Sequence, residues 1–150
     1  MSIDYEKYEK DCEKIRKSNK KLLSQFEDWL VKKKLGQKTI DKHLQNIDFY
    51  INEYLLYEDA NKPEEGVSSI NMFLGYWFIK KAMWASESSI KSNASSLKKF
   101  YTFMKEIGRI DEDELEDLMI TIKEDMSEWI NTLRRYDDPE ITDMEEVWGF

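Results

Sequence analysis

The sequence predicts an all-α protein. Apolar residues recur at three- and four-residue intervals through most of the chain, the spacing of helices with one buried side. Helix breakers are scarce, Pro63 and Pro139 being the two prolines. No stretch alternates apolar and polar residues in the manner of a strand. With 150 residues, 41% hydrophobic and 13% aromatic, the chain suffices for one domain burying roughly 70% of its unfolded surface.

Residues 1–20 are charge-dense and weakly periodic, and read as a charged extension of the first helix. From Leu22 the pattern sharpens, with Leu22, Leu23, Phe26, Trp29 and Leu30 on one side. Lys32, Lys33 and Lys34 suit the negative end of the helix dipole, and Gly36 is the expected stop. A second helix runs from Gln37 or Lys38 to about Tyr57, with Ile40, Leu44, Ile47 and Ile51 inward. Lys38, Lys42 and Gln45 lie on another face, and His43 sits near that polar side. A loop over residues 58–66 contains Pro63.

The third helix is expected to begin near Ser68, with Ser68 as cap and Val67 and Met72 as a hydrophobic staple. Ile70, Phe73, Leu74, Trp77 and Phe78 face one way, and Met72, Tyr76, Ile79 and Met83 another. That pattern predicts a central helix, apolar on nearly all sides.

The fourth helix spans residues 86–109. Ser86 is placed to cap its first turn and Gly108 to end it in a left-handed conformation. Ile90, Ala94, Leu97, Tyr101, Met104 and Ile107 form its inward stripe. Lys91, Ser95, Lys98, Thr102 and Lys105 form a second stripe, with no acid in it. Two readings fit this stripe: a solvated outer face, or a surface that follows a phosphate backbone.

A fifth helix over residues 110–135 opens on Asp111 and Glu114 at capping-box spacing, with Ile110 and Leu115 as its staple. Leu118, Ile122, Met126, Trp129 and Leu133 line its apolar side, while Glu116, Asp117, Glu124 and Asp125 crowd another. Residues 136–150 form an acidic tail that carries Trp148 and Phe150. It has the make-up of a flexible docking peptide.

The net charge of −8 conceals a division. Residues 14–109 hold 18 Lys and Arg against 11 Asp and Glu, whereas residues 110–150 hold 3 against 15. The centre is basic and the end acidic. Cys12, the single cysteine, permits no internal disulfide and suits a reducing cytoplasm, the expected location. The N-terminus has no apolar signal core, and the longest apolar run, Met72 to Ile79, is too short to span a bilayer, so no membrane association is expected. The sequence offers no Gly-rich phosphate loop, no metal-ligand cluster and no nucleophile-base set at workable spacing. Neither catalysis, a metal nor a cofactor is expected.

Two segments carry a resemblance. One is Phe26-Glu27-Asp28-Trp29-Leu30, a short basic link, then Gly36-Gln37-Lys38-Thr39-Ile40. The other is Ser86-Glu87-Ser88-Ser89-Ile90, followed by Ser96-Leu97-Lys98-Lys99-Phe100-Tyr101-Thr102-Phe103 and closing at Gly108. Over about residues 20–110 the pattern resembles the N-terminal core-binding domain of tyrosine recombinases, the phage-integrase family. The resemblance implies a compact orthogonal four-helix bundle of SAM-like type over residues 21–109, followed here by the fifth acidic helix and the tail. In the family this domain is half of a clamp around double-stranded DNA, and its second and fourth helices supply much of the contact. The matching positions here are Lys38, Thr39, Lys42 and His43 on the second helix, with Lys91, Ser95, Lys98, Lys99 and Thr102 on the fourth.

The departures are equally specific. The family's catalytic arginine, His-x-x-Arg and nucleophilic tyrosine have no counterpart here, and Arg134-Arg135-Tyr136 lacks a partner histidine. Gln37 stands where the family has a capping serine. The expected function is therefore non-catalytic DNA binding, as a recombinase remnant or an accessory factor in DNA integration. The alternative is a protein-interaction module. Its acidic C-terminal segment would mask the basic face or dock to a partner, with self-association through residues 110–135 and with Trp148 and Phe150 as anchors.

Overall fold

The first helix, α1 (Ile3–Lys32), runs unbroken through the charged N-terminal stretch. The structure, a computed structural model, describes residues 3–148. Every regular element among them is helical, as the apolar spacing predicts. Cys12, Ile15, Asn19, Leu22, Phe26 and Leu30 of α1 are buried at three- and four-residue steps. The N-terminal half is tied down by its polar side chains. Asn19 Nδ2 donates to the Ile51 carbonyl at 3.3 Å and to Asn52 Oδ1 at 2.9 Å, and the Tyr8 hydroxyl donates to the Leu56 carbonyl.

The turn after α1 departs from expectation. The left-handed residue is Lys34, at φ 63°, while Gly36 is extended at φ −69° and serves as N-cap of α2 (Gln37–Phe49). A π-helical run, Tyr50–Tyr54, continues α2, with Leu55 N–H bonded five residues back to the Tyr50 carbonyl at 3.0 Å.

A 3₁₀ turn, Pro63–Ser68, comes next, so Ser68 does not open the third helix. Pro63 fixes the start of this turn. The helix begins one residue later than Ser69, as α3 (Ile70–Met72), a π-helical run Phe73–Trp77 and α4 (Phe78–Lys81) in direct succession. Met72 is 58% exposed and Met83 is 99% exposed, so the expected staple is absent and this helix is not buried all round.

Two buried tyrosines fix the 3₁₀ turn. Tyr50 Oη donates to the Gly66 carbonyl at 2.6 Å, and Tyr101 Oη donates to the Pro63 carbonyl at 2.8 Å. Position 66 has no room for a side chain, since a Cβ there would lie 2.5 Å from Tyr101 Oη.

α5 (Glu87–Glu106) is capped as predicted. Ser86 Oγ accepts from Ser89 N–H at 3.0 Å, and Gly108 ends the segment at φ 79°. Its inward stripe is buried except for Ile107, which lies past the last helical turn and is 44% exposed. α6 (Glu112–Asp137) carries the expected capping box, Asp111 Oδ1 accepting from Glu114 N–H at 2.8 Å.

α5 packs on α2 along one flank and on α6 along the other, and α6 also covers α3 and the second π-helical run. The core therefore crosses the boundary drawn from charge at residue 110. Leu118, Ile122, Trp129 and Leu133 join Phe26, Tyr50, Phe73, Phe78 and Phe100 in one apolar cluster. Each such side chain contributes about 1.5–3 kcal/mol on burial. Edge-to-face pairs such as Phe26–Phe100, with centroids 5.3 Å apart, add about 0.5–1.5 kcal/mol.

The tail is also folded. In α7 (Met144–Trp148) Val147 is buried, its carbonyl accepts from Arg135 Nε at 2.9 Å, and the Trp148 ring lies 4.6 Å from that of Tyr76. The expected free docking peptide is instead seated on its own chain; Phe150, its other anchor, lies outside the described residues. Among the described residues no helix is long and apolar enough to cross a membrane.

Candidate nucleic-acid interface

The lysines of α2 and α5 are positioned by a polar seam between the two helices. His43 Nδ1 lies 2.7 Å from Ser96 Oγ, and Asn46 Nδ2 donates to Ser96 Oγ at 2.9 Å and to Ser92 Oγ at 3.0 Å. Position increases along α2 as it decreases along α5, so the helices are antiparallel. Lys42 precedes His43, and Lys99 lies about one turn beyond Ser96, so both lie toward the same end of the seam. Lys38 and Thr102 lie a further turn toward the same end.

His43 is corrected by this geometry. Expected on the polar side, as a possible contact to DNA, it is only 6% exposed and belongs to the seam. The reason is that Ser96 and Asn46 satisfy its polar atoms inside the interface, which periodicity does not reveal. Burial, with the Lys99 ammonium nearby, lowers its pKa below the ordinary 6.5.

The other candidate residues reach the surface to different extents. Lys38, Thr39 and Lys42 on α2 are exposed, as are Lys91, Ser95 and Lys98 on α5, while Lys99 and Thr102 are half-buried. Thr102 Oγ1 donates to the Lys98 carbonyl at 2.7 Å and so spends its proton within the helix. Lys91 is held by Glu87 at 3.2 Å, and Glu87 also meets Arg134 of α6 at 3.4 Å. Those two cations pull the Glu87 carboxyl below its usual range, Lys91 more strongly. Lys105 is held by Glu112 at 2.9 Å, which raises the Lys105 pKa. Lys38, Lys42, Lys98 and Lys99 form no ion pair among the described residues.

The acids nearest these four lysines in the chain are engaged by neutral donors. Asp41 accepts from Gln37 Nε2 at 2.8 Å, and Glu106 accepts from Trp29 Nε1 at 3.0 Å. That second bond also sets the end of α1 beside the end of α5. Lys32, Lys33 and Lys34, read from sequence only as partners of the helix dipole, thus stand exposed at the turn into α2, with Lys33 Nζ 4.8 Å from the Trp29 ring centroid. The run of lysines from 32 to 42 was the available signal for this extension. The start of α2 has no side-chain cap, so its first N–H groups are open to an anion.

Among the described residues, no group of three or more His, Cys, Asp and Glu side chains is placed to hold a metal ion. Comparison with protein-family models, with curated proteins and with solved structures finds no match.

Proposed function

We propose that this chain is a non-catalytic DNA-binding module that lays the α2–α5 seam along the phosphate backbone of double-stranded DNA. The observation that carries the reading is the group of four unpaired lysines, Lys38, Lys42, Lys98 and Lys99, arranged along two antiparallel helices. The lysines of the α1–α2 turn extend it. The resemblance to the core-binding domain of tyrosine recombinases supports the same choice of helices. On this reading α1, α2, the α3–α4 rod and α5 correspond to the four helices of that SAM-like bundle, and α6 and α7 are additions. Lysines and hydroxyls on phosphate carry no base readout, so binding is weak and largely independent of sequence.

Four phosphate contacts give a slope of log affinity against log salt of roughly −4. Fluorescence anisotropy of a labelled duplex, titrated with the full chain at several salt concentrations, measures it. No binding at low salt removes the proposal. The alternative, masking of the basic face by the acidic segment, has support at one point, the Lys105–Glu112 pair. α7 meets Arg135, Tyr76 and Tyr136, none of which is on the lysine stripe.

A further inference from the structure

The far end of α2 carries a second kind of surface. A cleft of about 340 Å³ opens beside the π-helical run Tyr50–Tyr54, lined by Tyr54, Tyr57, Trp77 and Tyr76 and by the acids Glu58 and Asp59. Its size is at the low end for ligand sites, which suits a small molecule. Three of its rings meet edge to face: Tyr54 and Trp77 at 5.2 Å between centroids and 68°, Tyr57 and Trp77 at 5.6 Å and 71°. Rings at steep angles present electron-rich faces in more than one direction, the arrangement that surrounds a cation. The protein already uses one of them so, since Lys81 Nζ lies 5.4 Å from the Tyr57 centroid.

The charged residues lining the cleft are acids, while Lys80 and Lys81 lie over the rings of Tyr76 and Tyr57 without lining it. Glu58 and Asp59 are exposed, and neither forms an ion pair among the described residues. Burial raises the Tyr54 hydroxyl pKa, and the charge of Glu58 raises it further. The Trp77 indole N–H is buried with no acceptor among the described residues, so Trp77 meets the cleft through its ring and not through its N–H.

We propose that this cleft binds a small quaternary-ammonium compound of the choline type. The aromatic walls take the methylated nitrogen without requiring a hydrogen bond from it. The two carboxylates supply long-range attraction. The site stands at the opposite end of α2 from Lys38 and Lys42, so it does not depend on the DNA reading.

The test is a titration of the full chain with choline chloride, followed by ¹H–¹⁵N NMR of the indole resonances. Trp77 is assigned by its loss in Trp77→Phe. Saturable movement of the Trp77 signal at millimolar choline is expected, with at least tenfold weaker binding of the neutral isostere 3,3-dimethylbutan-1-ol. Glu58→Gln with Asp59→Asn, and separately Tyr57→Leu, should each weaken choline at least fivefold while the circular dichroism spectrum is kept. Equal binding of choline and the isostere overturns the proposal, as does choline affinity unchanged in both variants. Retention on phosphatidylcholine vesicles without saturable binding of free choline also overturns it.

Discussion

Ser96 Oγ, 2.7 Å from His43 Nδ1, is the junction at which α2 and α5 are held in register. It also accepts from Asn46, and its side chain is fully buried. Ser96→Ala removes the partner of buried His43 Nδ1 and one of the two acceptors of Asn46, at an expected cost of about 1–3 kcal/mol. Ser95→Ala, next to it but exposed, should change stability by less than about 0.5 kcal/mol. Urea denaturation of both variants measures the difference, and equal effects would contradict the seam.

The same junction gives a pH dependence. His43 has a lower pKa folded than its ordinary 6.5, through burial first and Lys99 second. The unfolded chain therefore binds more protons in the window below 6.5. The stabilisation is complete above that value and is lost as pH falls toward and through the folded pKa. His43 is the only histidine, so its ring proton gives one NMR titration curve. The midpoint should lie below 6.5 and move upward in Lys99→Gln. A midpoint at or above 6.5 would place the imidazole in solvent after all.

Trp129 makes α6 part of the core. Its Nε1 donates to Asn71 Oδ1 at 2.8 Å, and a Cβ at Gly75 would lie 2.8 Å from its Cδ1. Gly75→Ala should therefore cost about 1–3 kcal/mol by overpacking, and Trp129→Ala about 3–5 kcal/mol by leaving a cavity. A chain truncated after residue 109 should lose its cooperative thermal transition. A sharp transition in the truncated chain would show that residues 21–109 fold alone and that α6 is an accessory.

What could be read in advance follows from the physics of each element. The caps at Ser86 and Asp111 were legible because a hydroxyl or carboxylate at a set spacing has one local use. The N-terminal half of α1 was harder. Its stripe of Tyr8, Cys12, Ile15 and Asn19 keeps helical spacing, but one member is polar and charges surround the rest. The π-helical runs hid more. Each adds a residue to its turn, so the inward face of 70–81 shifts partway along and looks like two faces in sequence. In the candidate interface, exposure of the lysines followed from periodicity. Of their pairings, Lys91–Glu87 is an i,i+4 pair within α5, whereas Glu112 reaches Lys105 only through the packing of α6.

The central claim is that the ammonium groups along α2 and α5 hold DNA. The most direct measurement compares two double charge reversals by duplex anisotropy at low salt. Lys42→Glu with Lys98→Glu acts at the seam, while Lys14→Glu with Lys17→Glu changes the net charge equally on the exposed face of α1. The expected result is at least a tenfold loss of affinity in the first and less than a threefold change in the second. Equal losses would assign the binding to net charge alone, and an unaffected first variant would contradict the interface.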